Sequence, residues 1–425
     1  MLLTALAEQA QVTLLTVGGV EDYGNVDVLA LTGDGCPTRV DEARAVLNEA
    51  IQGARPEGIG LPSYPHYFDA VVGSGWTSGR EANLLRRMFY PSAITANALH
   101  MDPRGLGAAL GDTARGDSLA RVHRDVFRES DLVFAPGPKA GRDARRLIFE
   151  GCSASGPPVH ELVPGVTVAS PERGSTWTGT TFELLMLCRA EDRIKGVLDV
   201  ARAVCDLRNH GHGIRLTVRG APSEQVAPFQ AFLDDATAEP GLVRVRPFTQ
   251  DRARINADID TSDALIVASE NEPYGLVAAE CAARGTPFVV ARGNGNGFAE
   301  LLSEPGGLAG NIGHRFVIED GDSLSAHGNR MGAGRPSSRP RHLVLARAIA
   351  GLMADYDRVS EYTRVLRRSL SAYTPAHMAQ AFEEVVRRVA AGARDSTRQG
   401  PDGRLFTSPG VRRADSGPSQ HASAL

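Results

Sequence analysis

One stretch, residues 262–300, constrains the fold more than any other part of the sequence. An apolar run at 264–268 predicts a buried strand, and a second apolar run at 286–291 predicts another. The segment Tyr274–Arg284 between them is predicted to form a helix, and the second strand is followed by a loop with glycine at positions 293, 295 and 297. The stretch therefore predicts a strand–turn–helix–strand–glycine-loop unit.

Two carboxylates, Glu272 and Glu280, are separated by seven residues in this unit. Pro273 is predicted at the first helical position, with Glu272 extended before it. Backbone N–H groups at the start of a helix can hold an anion. Glu272 would stand beside that anion and Glu280 two turns deeper. The pattern favours a phosphate-bearing ligand whose hydroxyl groups must also be held.

The same alternation of strands and helices runs through the rest of the chain. Further strands are predicted at 12–17, 26–31, 67–73, 93–99, 131–135, 159–163, 182–187, 214–218, 243–245 and 315–318. Further helices are predicted at 2–11, 41–53, 80–89, 117–129, 140–149, 196–207, 227–236, 255–261, 342–356, 359–370 and 377–391. Such alternation predicts parallel sheets with helices on both faces.

The predicted fold class is α/β, with two doubly wound, Rossmann-like domains. The amino-terminal domain is expected at 1–165, followed by a linker rich in glycine, serine and threonine at 166–180. The carboxyl-terminal domain is expected at 181–370, and a final helix at 371–392. The polar segment 393–425 has low complexity and is predicted to be disordered.

Composition excludes several classes of protein. The 46 basic and 50 acidic residues give a net charge of −4, so nothing points to a nucleic-acid partner. The five cysteines form no CxxC pair, which argues against disulfides and a structural zinc site and makes the cytosol the expected location. No uninterrupted apolar run approaches the roughly 18 residues of a membrane span. Peripheral contact with a membrane stays open.

Only two of the basic residues are lysines, Lys139 and Lys195. Lys195 and Arg189 lie in the segment CRAEDRIKG, between a predicted strand and the start of the next helix. Two cations beside the positive end of a helix would suit a diphosphate. The alternative is that both are ordinary solvated surface cations, and the scarcity of lysine favours function.

The segments LCRAEDRIKG, RGAP and SENEPYGLVAAECAARGTPFVV resemble the carboxyl half of the retaining glycosyltransferases of family 4, which have the GT-B fold. That family combines an arginine, a Lys-Gly pair, a glycine-rich turn, two glutamates separated by seven residues, a Gly-Thr-Pro triplet and a glycine loop. The chain supplies these as Arg189, Lys195-Gly196, Gly220, Glu272, Glu280, Gly285-Thr286-Pro287 and the glycines at 293–297. The resemblance is strong over about residues 180–302 and weak in the amino half.

The resemblance implies two domains facing each other across a cleft, with the final helix packing back on the amino domain, and it implies a role for each residue. Arg189 and Lys195 would hold the donor diphosphate and stabilise the leaving phosphate, with no metal and no cofactor required. Glu272 would contact hydroxyls of the donor sugar, and Glu280 those of the ribose. The loop after Gly220 would pass near the base. The start of the helix would meet the phosphate and sugar through Pro273, Tyr274, Gly275, Leu276 and Val277.

The amino half offers weaker candidates. His100 follows the predicted strand at 93–99, where the family often places a histidine that faces donor and acceptor, although an exposed loop histidine would look the same. Ser74 and Trp76 could line the acceptor site or simply form a turn. His66, His123 and His160 have no partner pattern and are expected to be structural.

The predicted function is transfer of a hexose from a UDP- or GDP-linked sugar to the hydroxyl of a small molecule, glycolipid or glycoside, with retention of configuration. Members of the family begin with a strand and a glycine-rich loop, and a helix follows this loop. In this sequence, Met1 is predicted to lie already inside that helix. The amino domain is therefore expected to lack its first strand. This departure motivates one alternative, a degenerate partner protein of an active transferase. A nucleotide-sugar epimerase of the same fold is another.

Overall fold

A computed structural model describes most of the chain. The described residues are 2–16, 24–30, 40–53, 55–151, 156–168, 177, 179–304, 307–319 and 340–398. Within them, no helix has both the length and the apolar character needed to cross a bilayer.

The described strands are all parallel to their neighbours and form three sheets. They are β1 (Thr13–Thr16), β2 (Asp27–Ala30), β3 (Ala70–Ser74), β4 (Ile94–Ala98), β5 (Leu132–Pro136), β6 (Val159–Leu162), β7 (Phe182–Leu187), β8 (Ile214–Ala221), β9 (Val243–Pro247), β10 (Ala264–Val267), β11 (Phe288–Ala291) and β12 (Val317–Ile318). Their orders are β1-β2, β3-β4-β5-β6 and β12-β11-β10-β7-β8-β9.

Helices follow most strands, as the alternating pattern predicts. They are α1 (Leu2–Ala7), α2 (Val40–Gly53), α3 (Gly75–Phe89), α4 (Pro103–Leu110), α5 (Thr113–Arg128), α6 (Gly137–Phe149), α7 (Val197–Asn209), α8 (Val226–Thr237), α9 (Arg252–Thr261), α10 (Leu276–Arg284), α11 (Gly297–Ser303), α12 (Arg341–Ala354), α13 (Tyr356–Leu370) and α14 (Pro375–Arg398). The strand order of the six-stranded sheet reverses between β7 and β10, and ligands of open α/β sheets bind at such a point.

The six-stranded sheet is covered on both faces, which explains why β10 and β11 are apolar along their whole length. One apolar cluster lies between this sheet and α7, α8 and α12, and it includes Phe182, Leu216 and Ile349. A second cluster lies on the other face, between the sheet and α10, α11 and α13, and it includes Phe288 and Phe298. The two layers hold the carboxyl ends of β7 and β10 at a fixed spacing.

The amino half carries two sheets rather than one. Among the described residues, β1 and β2 pair only with each other, and β3 is an edge of the four-stranded sheet with Val72 51% exposed. Leu15, Leu29 and Val71 nevertheless belong to one apolar cluster with α2 and α3. In the described part of the chain, the two sheets thus share packing without a strand of one pairing with a strand of the other.

The last helix, α14, returns to the amino half. It packs against α1 and the four-stranded sheet, where Phe382 stacks on Phe134 with ring centroids 4.5 Å apart. The helix continues to Arg398, so the prediction of disorder from residue 393 is wrong for its first six residues; residues 399–425 lie outside the described part. Most of the expected linker, 169–176 and 178, also lies outside it.

Two helices, α4 and α11, were not predicted from the sequence. Each begins after a residue whose side chain caps the helix: Asp102 accepts from the N–H groups of Arg104 and Gly105, and Asn296 accepts from those of Phe298 and Ala299. Both are short, so apolar periodicity gives little signal, and capping alone marks where they start.

Candidate active site

The carboxyl ends of β7 and β10 and the start of α10 enclose a cavity of about 240 Å³. Six of the predicted site residues line it: Arg189, Lys195, Glu272, Gly275, Leu276 and Val277. Its other walls come from the ends of the two strands. The structure thus brings together residues that are up to 88 positions apart in the sequence, at the edge where parallel-sheet ligands bind.

Lys195 and Glu272 form the central ion pair of the cavity. Lys195 Nζ lies 2.9 Å from Glu272 Oε2, and the two side chains are only 14% and 16% exposed. Ser269 Oγ donates to the same carboxylate oxygen at 3.0 Å. The cleft removes part of the hydration of this carboxylate, and two donors replace it. These two hydrogen bonds also fix the position of the carboxylate.

Arg189 lies at the mouth of the cavity with its side chain 65% exposed, and it pairs with Asp192 at 2.9 Å. The turn that follows is tied to the end of β10, since Glu270 N–H donates to Ile194 O at 2.8 Å. Gly196 then adopts φ 71° at the start of α7, where a Cβ would lie 2.5 Å from Ala268 O. Only glycine permits this approach, which places Lys195 beside β10.

The start of α10 differs from the prediction. The helix begins at Leu276, so Pro273 is not its first residue and Tyr274 is not helical. The reason is Gly275, the residue immediately before the helix: its φ of 92° lies in the left-handed region, so the helical conformation does not continue back to Tyr274 and Pro273. Within the described residues, Gly275 has no side-chain cap, and the N–H groups of Leu276 and Val277 face no acceptor. These two donors point to an anion site at the cavity.

Tyr274 is a packing residue in this structure. It is 4% exposed, and its ring lies against Phe298 at a centroid distance of 5.7 Å. A Cβ at Gly137, in the amino half, would lie 3.3 Å from the same ring. Burial raises the pKa of the Tyr274 hydroxyl well above its ordinary value. Tyr274 and Pro273 do not line the cavity, so their predicted contact with the ligand stays a prediction.

Glu280 and Gly220 also lie outside the cavity lining. Glu280 is 12% exposed and accepts from Arg252 at 3.0 Å, so a partner on α9 neutralises its charge. Gly220 has φ 127°, and a Cβ there would lie 1.9 Å from Cys188 O. The glycine therefore allows β8 to pass directly under the segment that carries Arg189.

His100 lies on the surface of the amino half, after β4. Although its side chain is exposed, neighbouring protein atoms lower its pKa by desolvation. His123 lies close by on α5 and is 4% exposed, with burial lowering its pKa to about 4. A Cβ at Gly75 would lie 2.5 Å from the His123 ring, so this histidine fills the space under the start of α3. That helix begins at Gly75 and includes Trp76, so the turn predicted between Ser74 and residue 80 is wrong.

Cys188 is the thiol closest to the cationic side of the cavity. Burial raises the pKa of its thiol to about 12, and the opposing effect of Lys195 is smaller. The thiol is therefore protonated at neutral pH, which makes it a poor nucleophile. Cys188 lines the cavity as an apolar group.

Sequence reasoning missed several residues that support the site. Ser269 holds Glu272, Asp192 holds Arg189, and Arg252 holds Glu280. Arg341 donates to Ala268 O at 2.7 Å and pairs with Asp199 at 3.2 Å, behind the Lys195 turn. Ser269 and Asp192 lie in stretches already singled out, whereas Arg252 lies outside them. Arg341 carried no signal, since only the fold brings it to β10.

The fold is similar to those of known GT-B proteins. A sucrose-phosphate synthase from Thermosynechococcus elongatus superimposes with a TM-score of 0.67 at 17% identity, covering 92% of each chain. HepE from Anabaena, in complex with UDP and glucose, superimposes with a TM-score of 0.60 at 15% identity, covering 91% of this chain and 94% of that one. At such identities the likeness establishes the fold, with two domains of GT-B type.

The curated relatives are glycosyltransferases of actinobacteria. D-inositol 3-phosphate glycosyltransferase of Corynebacterium diphtheriae is 25% identical over 57% of this chain and 58% of its own length. Glycogen synthase of Mycobacterium tuberculosis is 34% identical over 32% of this chain and 34% of its own length. The chain spans little more than half the length of the first of these relatives and a third of the second.

A family model supplies the wider match. The model described as "Family 4 Glycosyltransferase in conflict systems" matches residues 5–382, which include both halves of the described fold and the first third of α14. This match confirms the family indicated by the Arg189, Lys195 and Glu272 segments, and extends it into the amino half. The chain belongs to the family 4 glycosyltransferases.

Proposed function

We propose that this protein transfers a hexose from a UDP- or GDP-linked sugar to an acceptor hydroxyl, with retention of configuration. The observation that carries the proposal is the Lys195–Glu272 pair beside the start of α10. A cation for phosphate, a carboxylate for sugar hydroxyls and two backbone donors for an anion lie around one cavity. Those are the groups a nucleoside-diphosphate sugar requires.

The cationic side of the cavity would act on the leaving group. Arg189 and Lys195 would bind the diphosphate and stabilise the negative charge that develops as the glycosidic bond breaks. The N–H groups of Leu276 and Val277 would add the positive end of a helix to the same phosphate. Electrostatic stabilisation by these residues is the main catalytic contribution in this proposal.

The carboxylates would position the donor. Glu272, held by Ser269, would accept hydrogen bonds from the hexose hydroxyls. Glu280 is proposed to bind the ribose. Its carboxylate would then accept hydrogen bonds from the ribose hydroxyls and from Arg252. The loop after Gly220 would lie near the base.

The acceptor is proposed to enter from the amino half, past His100. The exposed position of this side chain is compatible with contact to both donor and acceptor. Its lowered pKa keeps the imidazole neutral at pH 7, so it can accept a proton or a hydrogen bond. We propose a small molecule, glycoside or glycolipid as acceptor, with only peripheral contact to any membrane.

The comparisons support a nucleotide-sugar donor without choosing one. HepE, one of the structural neighbours, was also solved in complex with UDP-glucose. Cys188, Cys205 and Cys281 are free thiols in the described part of the chain, which favours a reducing compartment, and we propose the cytosol.

One observation favours a second candidate, a catalytically degenerate partner of an active transferase. The amino half is split into two sheets, and β3 leaves an open edge. If the split displaces the acceptor site, the donor site would bind its nucleotide without turnover. Nucleotide binding with no transfer to any acceptor would support this candidate.

The direct test is titration of the purified chain with UDP, GDP and their sugars by calorimetry, followed by assay of sugar release. Saturable binding of one nucleotide is expected, and failure of all of them to bind would overturn the proposal. Glu272→Gln should retain nucleotide binding and lower turnover by about 10²–10³-fold, as the loss of one charged catalytic contact does. Glu361→Gln, at an exposed position on α13, is the matched control and should keep full activity.

A further inference from the structure

Lys139, one of only two lysines in the chain, lies at the contact between the two halves. It is on α6 in the amino half and is 6% exposed. A Cβ at Gly295, in the carboxyl half, would lie 2.4 Å from Lys139 Cε and 3.4 Å from its Cδ. The aliphatic part of the lysine therefore lies directly on the backbone of the glycine loop.

The charge of Lys139 is held by a row of alternating partners within the amino half. Its Nζ lies 3.0 Å from Asp143 Oδ2, and Asp143 Oδ1 accepts from Arg146 at 3.1 Å. Arg146 also donates to Asp102 Oδ2 at 2.8 Å. A buried ammonium is costly unless it is paired. The pairing fixes the lysine in the conformation that reaches Gly295.

The loop under Lys139 is bonded to the backbone of Glu272. Gly295 O accepts from Glu272 N–H at 2.8 Å, and Glu272 O accepts from Gly297 N–H at 3.0 Å. Glu272 and Asn296 form a parallel bridge between these two bonds. A shift of Gly295 therefore shifts the residue whose carboxylate pairs with Lys195.

We propose that Lys139 is a positioning residue that holds the glycine loop, and through it Glu272, from the opposite half of the molecule. The inference deepens the proposed function, because the position of Glu272 matters only if it binds the donor sugar. It assigns no contact between Lys139 and substrate. The catalytic geometry is then assembled only while α6 lies on the donor half.

Amide hydrogen exchange in the full chain tests the positioning without any substrate. Lys139→Ala should accelerate exchange at the amides of Glu272 and Gly297 by about tenfold or more, as expected for removal of a buried packing partner. Arg142→Ala is the matched control, since it removes the exposed ion pair with Glu300 in the same interface. That variant should change the exchange rates of the Glu272 and Gly297 amides by less than about threefold.

A second variant covers the case in which Lys139→Ala does not fold. Lys139→Met keeps the aliphatic length and loses the charge, so the same amides should exchange faster than in wild type and slower than in the alanine variant. Unchanged exchange in Lys139→Met and Lys139→Ala would overturn the proposal, and so would an equal acceleration in Arg142→Ala.

The kinetic arm separates this inference from the proposed function. With an active donor, Lys139→Met should lower kcat more than it raises the donor KM, and Lys139→Arg, which keeps the charge, should recover part of the loss. A rise in KM alone would contradict positioning of Glu272. If wild type turns over no nucleotide sugar, the proposed function fails, while the exchange result still decides whether Lys139 holds the loop.

Discussion

Lys195 and Glu272 are each partly withdrawn from water, and each satisfies its charge mainly on the other. Arg189 belongs to the same predicted cluster, but its side chain is 65% exposed, so its charge is solvated by water as well as paired with Asp192. Two cations with the same proposed role therefore differ in what they contribute to the folded state. The difference is a matter of burial, which the sequence does not display.

Lys195→Met should destabilise the folded protein, because it leaves the Glu272 carboxylate without its cation in a partly buried site. We expect a loss of about 1–3 kcal/mol in the free energy of unfolding. Arg189→Met should cost less than about 1 kcal/mol, since its ion pair is exposed. Urea unfolding followed by circular dichroism measures both free energies. Equal losses in the two variants would show that the Lys195–Glu272 pair stabilises the folded protein no more than the exposed Arg189–Asp192 pair does.

His123 should make the amino half sensitive to acid. Burial lowers its pKa to about 4 in the folded state, against about 6.5 in the unfolded chain. Between these values the unfolded state binds the proton, so stability is fully present above pH 6.5 and falls as the pH drops towards 4. The loss is of the order of 3 kcal/mol for a shift of this size.

Unfolding midpoints measured between pH 4 and 7 test the role of His123. His123→Gln keeps a polar side chain of similar reach and does not titrate, so its stability should fall less steeply over this range. His100→Gln is the comparison, since that ring is exposed. A slope unchanged by either substitution would mean that other groups govern the acid response.

At the level of elements, the sequence predicted every strand and most helices of the described chain, because the strands are short runs rich in apolar residues and bounded by glycine, proline and polar turns. It missed the short helices α4 and α11, and it placed the start of α10 too early. In both cases a local backbone feature decides: the Asp102 cap for α4, and the left-handed φ of Gly275 for α10. Periodicity does not report such features.

The candidate site was predictable on one side only. Arg189, Lys195 and Glu272 lie in recognisable segments that the sheet brings together, whereas Lys139 meets the glycine loop across more than 150 residues. A contact between residues so far apart in the sequence depends on how the two domains pack together. No local sequence pattern in α6 or in the glycine loop indicates that packing. The scarcity of lysine was the one signal that marked Lys139.

Asp102 should support α4 more than an ordinary cap supports a helix. It is 7% exposed, caps α4, and accepts from Arg146 as well. Asp102→Ala should cost about 2–3 kcal/mol, since it removes both a cap and a buried charge partner. Asp112→Ala removes the exposed cap of α5 and should cost about 1 kcal/mol. Denaturant unfolding of the two variants distinguishes the cases.

At the scale of the whole molecule, α14 joins the last part of the described chain to the first. Phe382→Ala should destabilise the amino half by about 3–5 kcal/mol, because its ring stacks on Phe134 in the core under the four-stranded sheet. Phe232→Ala on α8, where the ring is 49% exposed, should cost less than about 1 kcal/mol.

Calorimetric melting measures the effect of Phe382→Ala, with nucleotide binding as the second readout. The six-stranded sheet and its cavity do not include α14, so the variant should still bind nucleotide at low temperature. Its amino half should unfold in a separate melting step, at a lower temperature than the carboxyl half. Simultaneous loss of both halves would mean that the molecule unfolds as one cooperative unit.

The return of α14 also has a consequence for synthesis. A ribosome delivers the amino half first, yet one face of its four-stranded sheet is covered by side chains of α14 between residues 379 and 390. While the intervening chain is being made, the apolar side chains of Ile94, Phe134 and their neighbours stay open to water or to chaperones. The donor half can close its own core as soon as it emerges, so the part of the protein made first is the last to be completed.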